Sequence, residues 1–122
     1  MLKISPKKDN SIIEKYNNDK AVVLMCDDDG VEKGYIAFYQ YGYIIDILDF
    51  EVYYREKELK GESYIIADTL IKSLCSYALN HSCFYLESSN SEIFDLLKNF
   101  AFAQSDNKLK SNLQQLFKVC VN

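Results

Sequence analysis

Between Tyr43 and Leu79 the sequence passes from an apolar, strand-length run through a charged loop into a long amphipathic helix. Ile66, Leu70, Leu74 and Ala78, flanked by Ala67, Ile71 and Cys75, recur at helical spacing and mark one buried face that ends near Asn80-His81. The short strand Cys83-Phe84-Tyr85-Leu86 follows, so the crossing from Val52 to Cys83 predicts neighbouring parallel strands with the helix between them. A strand that feeds a helix through a loop is suited to phosphate, because the first helical N–H groups have no partner and the dipole there is positive. The loop itself points partly the other way. From Tyr53 to Ala67 it has one glycine, Gly61, and it sets Glu56, Glu58 and Glu62 among Arg55, Lys57 and Lys60.

The rest of the chain reads as short elements. Leu2 to Ser5 is a strand, and Asp9-Asn10-Ser11 opens a brief helix over Ile12 to Tyr16. Ala21 to Cys26 is a strand, and Asp27-Asp28-Asp29-Gly30 carries the Asp-Gly signal of a hairpin. A calcium loop of the EF-hand type alternates its ligands and ends in Glu, which this cluster does not. Gly34 to Tyr41 alternates, with Tyr35, Ala37, Tyr39 and Tyr41 on one face and Ile36 and Phe38 on the other. In the next strand, Tyr43 to Val52, strict alternation puts Ile44, Leu48, Phe50 and Val52 on a face with Asp46, and Asp49 and Glu51 on the opposite one. Ser89-Asn90-Ser91-Glu92 has the form of a capping box ahead of Ile93, Leu96, Leu97 and Phe100. Ala101 to Gln104 is strand-like, Ser105 to Lys108 is a turn, and Leu113 to Cys120 is an apolar element of open type. The whole predicts one α/β (α+β) domain over residues 1–122, with a central mixed, mostly antiparallel sheet flanked by helices.

Composition narrows the partners. A chain of 122 residues with 48% apolar and 26% charged residues buries a core without a metal or disulfide staple. The net charge of −4, with no localised Lys/Arg cluster, argues against nucleic acid. No apolar run reaches membrane-spanning length and the N-terminus lacks a signal-peptide h-region, so the expectation is a cytoplasmic protein without a membrane partner. Cys26, Cys75, Cys83 and Cys120 have no Cys-x-x-Cys spacing and there is one His, so no metal site is expected and the thiols are read as reduced and mostly buried. His81, at a helix end, is expected to meet the last carbonyls rather than to activate a cysteine.

Three local patterns resemble the GNAT superfamily of acyl-CoA-dependent N-acetyltransferases. The hairpin Val22 to Ile36 is similar to the family's second and third strands. Ala67-Asp68-Thr69-Leu70-Ile71 to Tyr77-Ala78 is similar to its central helix, with Ala67 at the last Gly/Ala of the phosphate-loop pattern Gln/Arg-x-x-Gly-x-Gly/Ala. Asn90 to Phe102 is similar to its Asn, Leu-Tyr and Gly-Phe segment. In that register Glu62 stands for the Gln/Arg and Ile65 for the middle Gly. A second register, Glu58 to Ser63, keeps Gly61 but leaves the helix about one turn too long.

The resemblance implies acetyl-CoA as co-substrate and a small-molecule or peptide amine as acceptor. It implies Asp46 as the base that removes the amine proton, acting through a water, and main-chain N–H groups around Phe50 to Val52 as donors to the thioester carbonyl. Gly61, Ser63, Ile66, Ala67 and Asn90 fall at cofactor-binding positions, and Arg55, Lys57 or Lys60 would have to offset the carboxylate of the loop. The family's proton-donating Tyr is matched by Leu97, which cannot donate; Tyr85 or Tyr77 could substitute, but packing is the expected role of both. The residues before Ala21 are fewer than the two helices that usually shape the acceptor pocket. Two further readings stand beside the enzyme: a degenerate GNAT-like ligand-binding or interaction module, and a structural subunit that homodimerises through its Tyr-rich sheet face.

Overall fold

The computed structural model describes residues 1–55 and 57–121, with side chains described as far as Phe117. Glu56 of the charged loop and the Cys120 thiol therefore lie outside the described residues. Among the described residues, seven strands form one sheet in the order β1-β2-β3-β4-β5-β7-β6. They are β1 (Leu2–Lys7), β2 (Val22–Asp28), β3 (Val31–Tyr41), β4 (Ile44–Val52), β5 (Tyr85–Ser88), β6 (Ala103–Ser105) and β7 (Lys108–Asn112). The helices are α1 (Asn10–Tyr16), α2 (Glu62–Asn80), α3 (Phe94–Leu97) and α4 (Leu113–Val121). Every pairing is antiparallel except β4 with β5, which α2 connects. The expected mixed, mostly antiparallel sheet with flanking helices is the observed one.

Local chemistry explains the main joints. Asp29 and Gly30 both have positive φ, as a two-residue turn between twisted strands requires, and the Gly30 N–H donates to the Asp27 carboxylate. Asp9 caps α1 through its side chain. The seven α2 residues expected to be buried are buried, and they pack on Leu24, Cys26, Ile36, Phe38, Ile45, Ile47, Phe50 and Val52. The opposite face carries a much smaller cluster, in which Ile12 of α1 sits on Val23 and Ala37 beside Tyr16 and Tyr35. None of the described helices is long and apolar enough to cross a membrane.

Four expectations are corrected. The β3–β4 register jumps from Ala37↔Asp49 to Phe38↔Ile47, so Leu48 is an extra residue in a bulge. Phe50 and Val52 consequently join Ile45 and Ile47 on the α2 face, while Asp46 and Asp49 both look toward the Tyr-lined face. Secondly, α2 begins at Glu62 with Gly61 as N-cap, so Ala67 is fully buried in the second turn and does not open the helix. Thirdly, the cap of the next segment is Asn90, not Ser89: its side chain accepts from Glu92 N–H, and it starts one 3-10 turn (Ser91–Ile93) and the short α3. Lastly, the turn at Asp106 joins β6 to a strand the sequence did not announce, β7, and the terminal apolar element is the helix α4.

Candidate functional site

The site is made by two strands that part company. Parallel β4 and β5 pair only at Ile44↔Tyr85, Ile45↔Leu86 and Asp46↔Glu87. Beyond Asp46 the bulge bends β4 away, and side chains replace the ladder: Ser88 Oγ donates to the Ile47 carbonyl at 2.8 Å and Asn90 Nδ2 to the Leu48 carbonyl at 2.9 Å. A cavity of about 300 Å³ opens there, lined by Tyr16, Asp46, Ile47, Leu48, Ser89 and Asn90. Asp46 and Asn90, far apart in sequence, are thus brought together. Tyr16, which the sequence reading did not single out, joins them from the end of α1, with its hydroxyl 3.4 Å from Asn90 Nδ2.

Burial pushes the Asp46 carboxyl up to about 6; neighbouring Glu87 adds to the rise, and Lys108 and the Tyr39 hydroxyl oppose it. A carboxyl poised there is charged at neutral pH and still basic enough to accept a proton. Glu87 is ion-paired with Lys108. Burial would raise its carboxyl, but Lys108 and the Tyr41 hydroxyl outweigh that and leave it below the ordinary range.

Further along β4 the backbone amides alternate in direction. Tyr53 N–H donates to the Lys33 carbonyl on β3. Since strand amides alternate in direction, those of Phe50 and Val52 face away from β3, toward the gap. The Phe50 N–H is taken by the Asp49 carboxylate at 2.9 Å. The other oxygen of Asp49 accepts the Tyr35 hydroxyl at 2.8 Å and lies 3.9 Å from Lys15 Nζ. Burial, and after it this hydrogen bond, raises the Tyr35 phenol far above its ordinary value.

The loop before α2 resolves into two parts. Gly61 has φ +57° and ψ −129°, a conformation open to glycine, and gives α2 no side-chain cap. Ser63 Oγ accepts from Lys60 N–H and donates to the Lys60 carbonyl. Glu62 is drawn toward β3 by Lys33 at 3.5 Å. Ser63 and Ile66 line a small cavity of about 110 Å³ with Lys33, Tyr53, Tyr54 and Glu62. Arg55 and Lys57 line a larger one of about 400 Å³ with Glu58, Leu59, Asp95, Leu96 and Asn99. Arg55 and Lys57 therefore share a wall with Glu58, while Glu62 lines the smaller cavity.

The position of the family's proton donor and its two stand-ins lie apart from this cavity. Leu97 is fully buried, Tyr85 is exposed at the start of β5, and Tyr77 packs edge-on against Phe38. His81 stacks on Tyr77 and its ring nitrogen meets the Tyr77 carbonyl at 2.8 Å, so it caps α2 as expected. Cys26, Cys75 and Cys83 are buried cysteines. Among the described residues no group of three His, Cys, Asp or Glu is arranged to hold a metal ion.

No protein-family model matches the sequence, and no curated protein matches it significantly. Solved structures do match the fold. A GNAT family acetyltransferase from Elizabethkingia anophelis with acetyl-CoA bound superposes with a TM-score of 0.61 at 14% identity, over 86% of this chain and 78% of its own. The ribosomal-protein-S18-alanine N-acetyltransferase of Escherichia coli gives 0.65 at 9% identity, over 93% and 94%. The IAA acetyltransferase of Bacillus cereus gives 0.61 at 11% identity, over 92% and 99%. The chain has the GNAT fold.

Proposed function

On this GNAT fold, we propose that the chain is an N-acyltransferase that moves an acetyl or other acyl group from acyl-CoA to a small-molecule or peptide amine. The observation that carries the reading is Asp46: a carboxyl held near 6 on the wall of the cavity where β4 and β5 separate. Acyl-CoA supplies the acyl group as a thioester. Asp46 accepts the proton as the amine nitrogen attacks, directly or through one water, and so keeps the nucleophile's lone pair free. The gap-facing amides of β4 donate to the carbonyl oxygen as charge builds on it. The C–N bond forms as the C–S bond breaks, and the departing thiolate, with a pKa of roughly 8.5 for a thiol, leaves without a phenol at Leu97. Asn90 holds the bulge in position through the Leu48 carbonyl. Gly61 and Ser63 would flank the anionic part of the carrier at the start of α2, with Arg55 and Lys57 as counter-charges.

A second reading is favoured by a specific observation. The loop's acids, Glu58 and Glu62, sit beside the start of α2, whose first turn takes in the residues aligned with the phosphate loop. Like charge there opposes pyrophosphate, which suits a GNAT-like module that binds a ligand or partner without turnover. One pair of measurements separates the two. Millimolar acetyl-CoA is expected to raise the melting temperature, and thiol release should follow on adding a panel of amines. An unchanged melting temperature removes the acyltransferase; a rise with no release for any amine leaves the binding module.

A further inference from the structure

Past the bulge, the Phe50 amide faces the gap but is not open. The neighbouring gap-facing carbonyls of Ile47 and Leu48 are satisfied from the β5 side by Ser88 and Asn90. The Phe50 N–H is satisfied by the residue just before it. Asp49 is buried, and one of its oxygens lies 2.9 Å from that nitrogen. An ionised carboxylate is a stronger acceptor than a neutral carbonyl oxygen, so an incoming thioester meets a competitor at this donor. The competitor also has somewhere to go. Its second oxygen is held by the Tyr35 hydroxyl and lies near Lys15, both on the α1 side of the sheet. Both partners are distinct from the amide, so they offer the carboxylate a hold that does not depend on it.

We propose that the Asp49 carboxylate is a displaceable internal ligand of the Phe50 amide, and that an acyl carbonyl has to displace it before this amide can polarise the thioester. The inference rests on the acyl-CoA reading above and adds a residue that the reaction scheme does not use. Its consequence is for selectivity. The nucleotide and pantetheine are common to acyl-CoA and free CoA, and the acyl carbonyl is what tells them apart. With the amide occupied, the chain gains little affinity from the acyl group. Tyr35 and Lys15, as anchors of the displaced carboxylate, tie acyl recognition to the seating of α1.

The test is calorimetric titration of the full chain with acetyl-CoA and with CoA in parallel, read as the ratio of the two dissociation constants. The native chain is expected to show a ratio near one. Asp49→Ala frees the amide, and acetyl-CoA should then bind about tenfold more tightly than CoA, the effect of one net hydrogen bond. Asp49→Asn, which offers a neutral acceptor, should fall between. If Asp49→Ala does not fold by circular dichroism, Asp49→Asn decides: a ratio above the native one supports the proposal, and an unchanged ratio overturns it. A native preference for acetyl-CoA that is already about tenfold, and the same in the variants, overturns it while leaving the acyltransferase reading intact. Failure of both ligands to bind native and variant chains overturns that reading and this inference together.

Discussion

At the scale of single residues, Asp46 sets opposite demands on stability and on activity. Its carboxyl is raised from 3.8 to about 6, first by burial and then by Glu87. A raised folded-state value means that this group's contribution to stability is fully present below the unfolded value and is lost as pH climbs through about 6. In the proposed acyl transfer activity runs the other way, because Asp46 as base must be ionised. The acid limb of kcat/KM for the acyl transfer should therefore rise through about pH 6. Asp46→Asn should abolish that limb, lower kcat by roughly 10²-fold or more, and make the melting temperature less dependent on pH between 4 and 6. Steady-state rates over a pH series check the first two points and melting curves the third; an unchanged profile removes Asp46 as base. Lys108 supplies an independent handle. It lowers the Asp46 carboxyl and is paired with Glu87; Tyr39 also faces Asp46, and Tyr41 and Lys110 also face Glu87. Replacing it by Met removes the opposing cation, so the acid limb should move to higher pH, measurable in the same series.

At the scale of elements, the site depends on how closely β3 and β4 approach. A Cβ on Gly34 would stand 2.6 Å from the Glu51 carbonyl oxygen and 3.2 Å from the Val52 Cα, both backbone atoms that cannot swing aside. Gly34→Ala should therefore cost about 1–3 kcal/mol, read by denaturant unfolding, and reduce acyl-carrier binding as the gap-facing amides of β4 shift. The position also marks what a sequence can and cannot display. The α2 face was legible to the last residue, because seven apolar positions at helical spacing admit one buried side. So was the Asp29-Gly30 turn, whose chemistry is local. The Leu48 bulge was not, because an extra residue belongs to the pairing of two strands and leaves no mark on either alone. Strict alternation consequently put Asp46 on one face with Phe50 and Val52, whereas it lies with Asp49 on the opposite face. β7 escaped notice because Leu109 is its one deeply buried residue. The cap at Asn90 was misassigned by one position, since Ser89 and Asn90 share capping chemistry and only the backbone decides between them. Likewise Ala67 fits the family's loop by spacing, yet Glu62 to Ile66 are helical, and its amide falls inside the helical ladder rather than among the free first-turn donors.

At the scale of the whole molecule, the two faces of the sheet are unequally held. α2 is locked into a continuous core with strands β2 to β5 and with α3 and α4. α1 rests on Ile12, Val23 and Ala37, a cluster of three buried residues with Tyr16, Ala21 and Tyr35 at its edge. Stability is therefore graded: α1 can detach while the main core stays folded, and detachment carries away Tyr16 from the cavity and Lys15 from Asp49. Native-state hydrogen exchange should show α1 amides opening at a free energy well below that of the α2 amides, which approach global unfolding. Ile12→Ala sharpens the expectation. It removes the side chain that anchors α1, so α1 exchange should accelerate by one to two orders of magnitude, the effect of roughly 2 kcal/mol of lost burial, while α2 exchange moves far less. If both helices slow and quicken together in native and variant chains, the molecule opens as one unit and the α1 face is not a separable part of the site. If they separate, the variant should lose affinity for the proposed amine acceptor before it loses the fold, because the wall that Tyr16 contributes is the first part of the cavity to open.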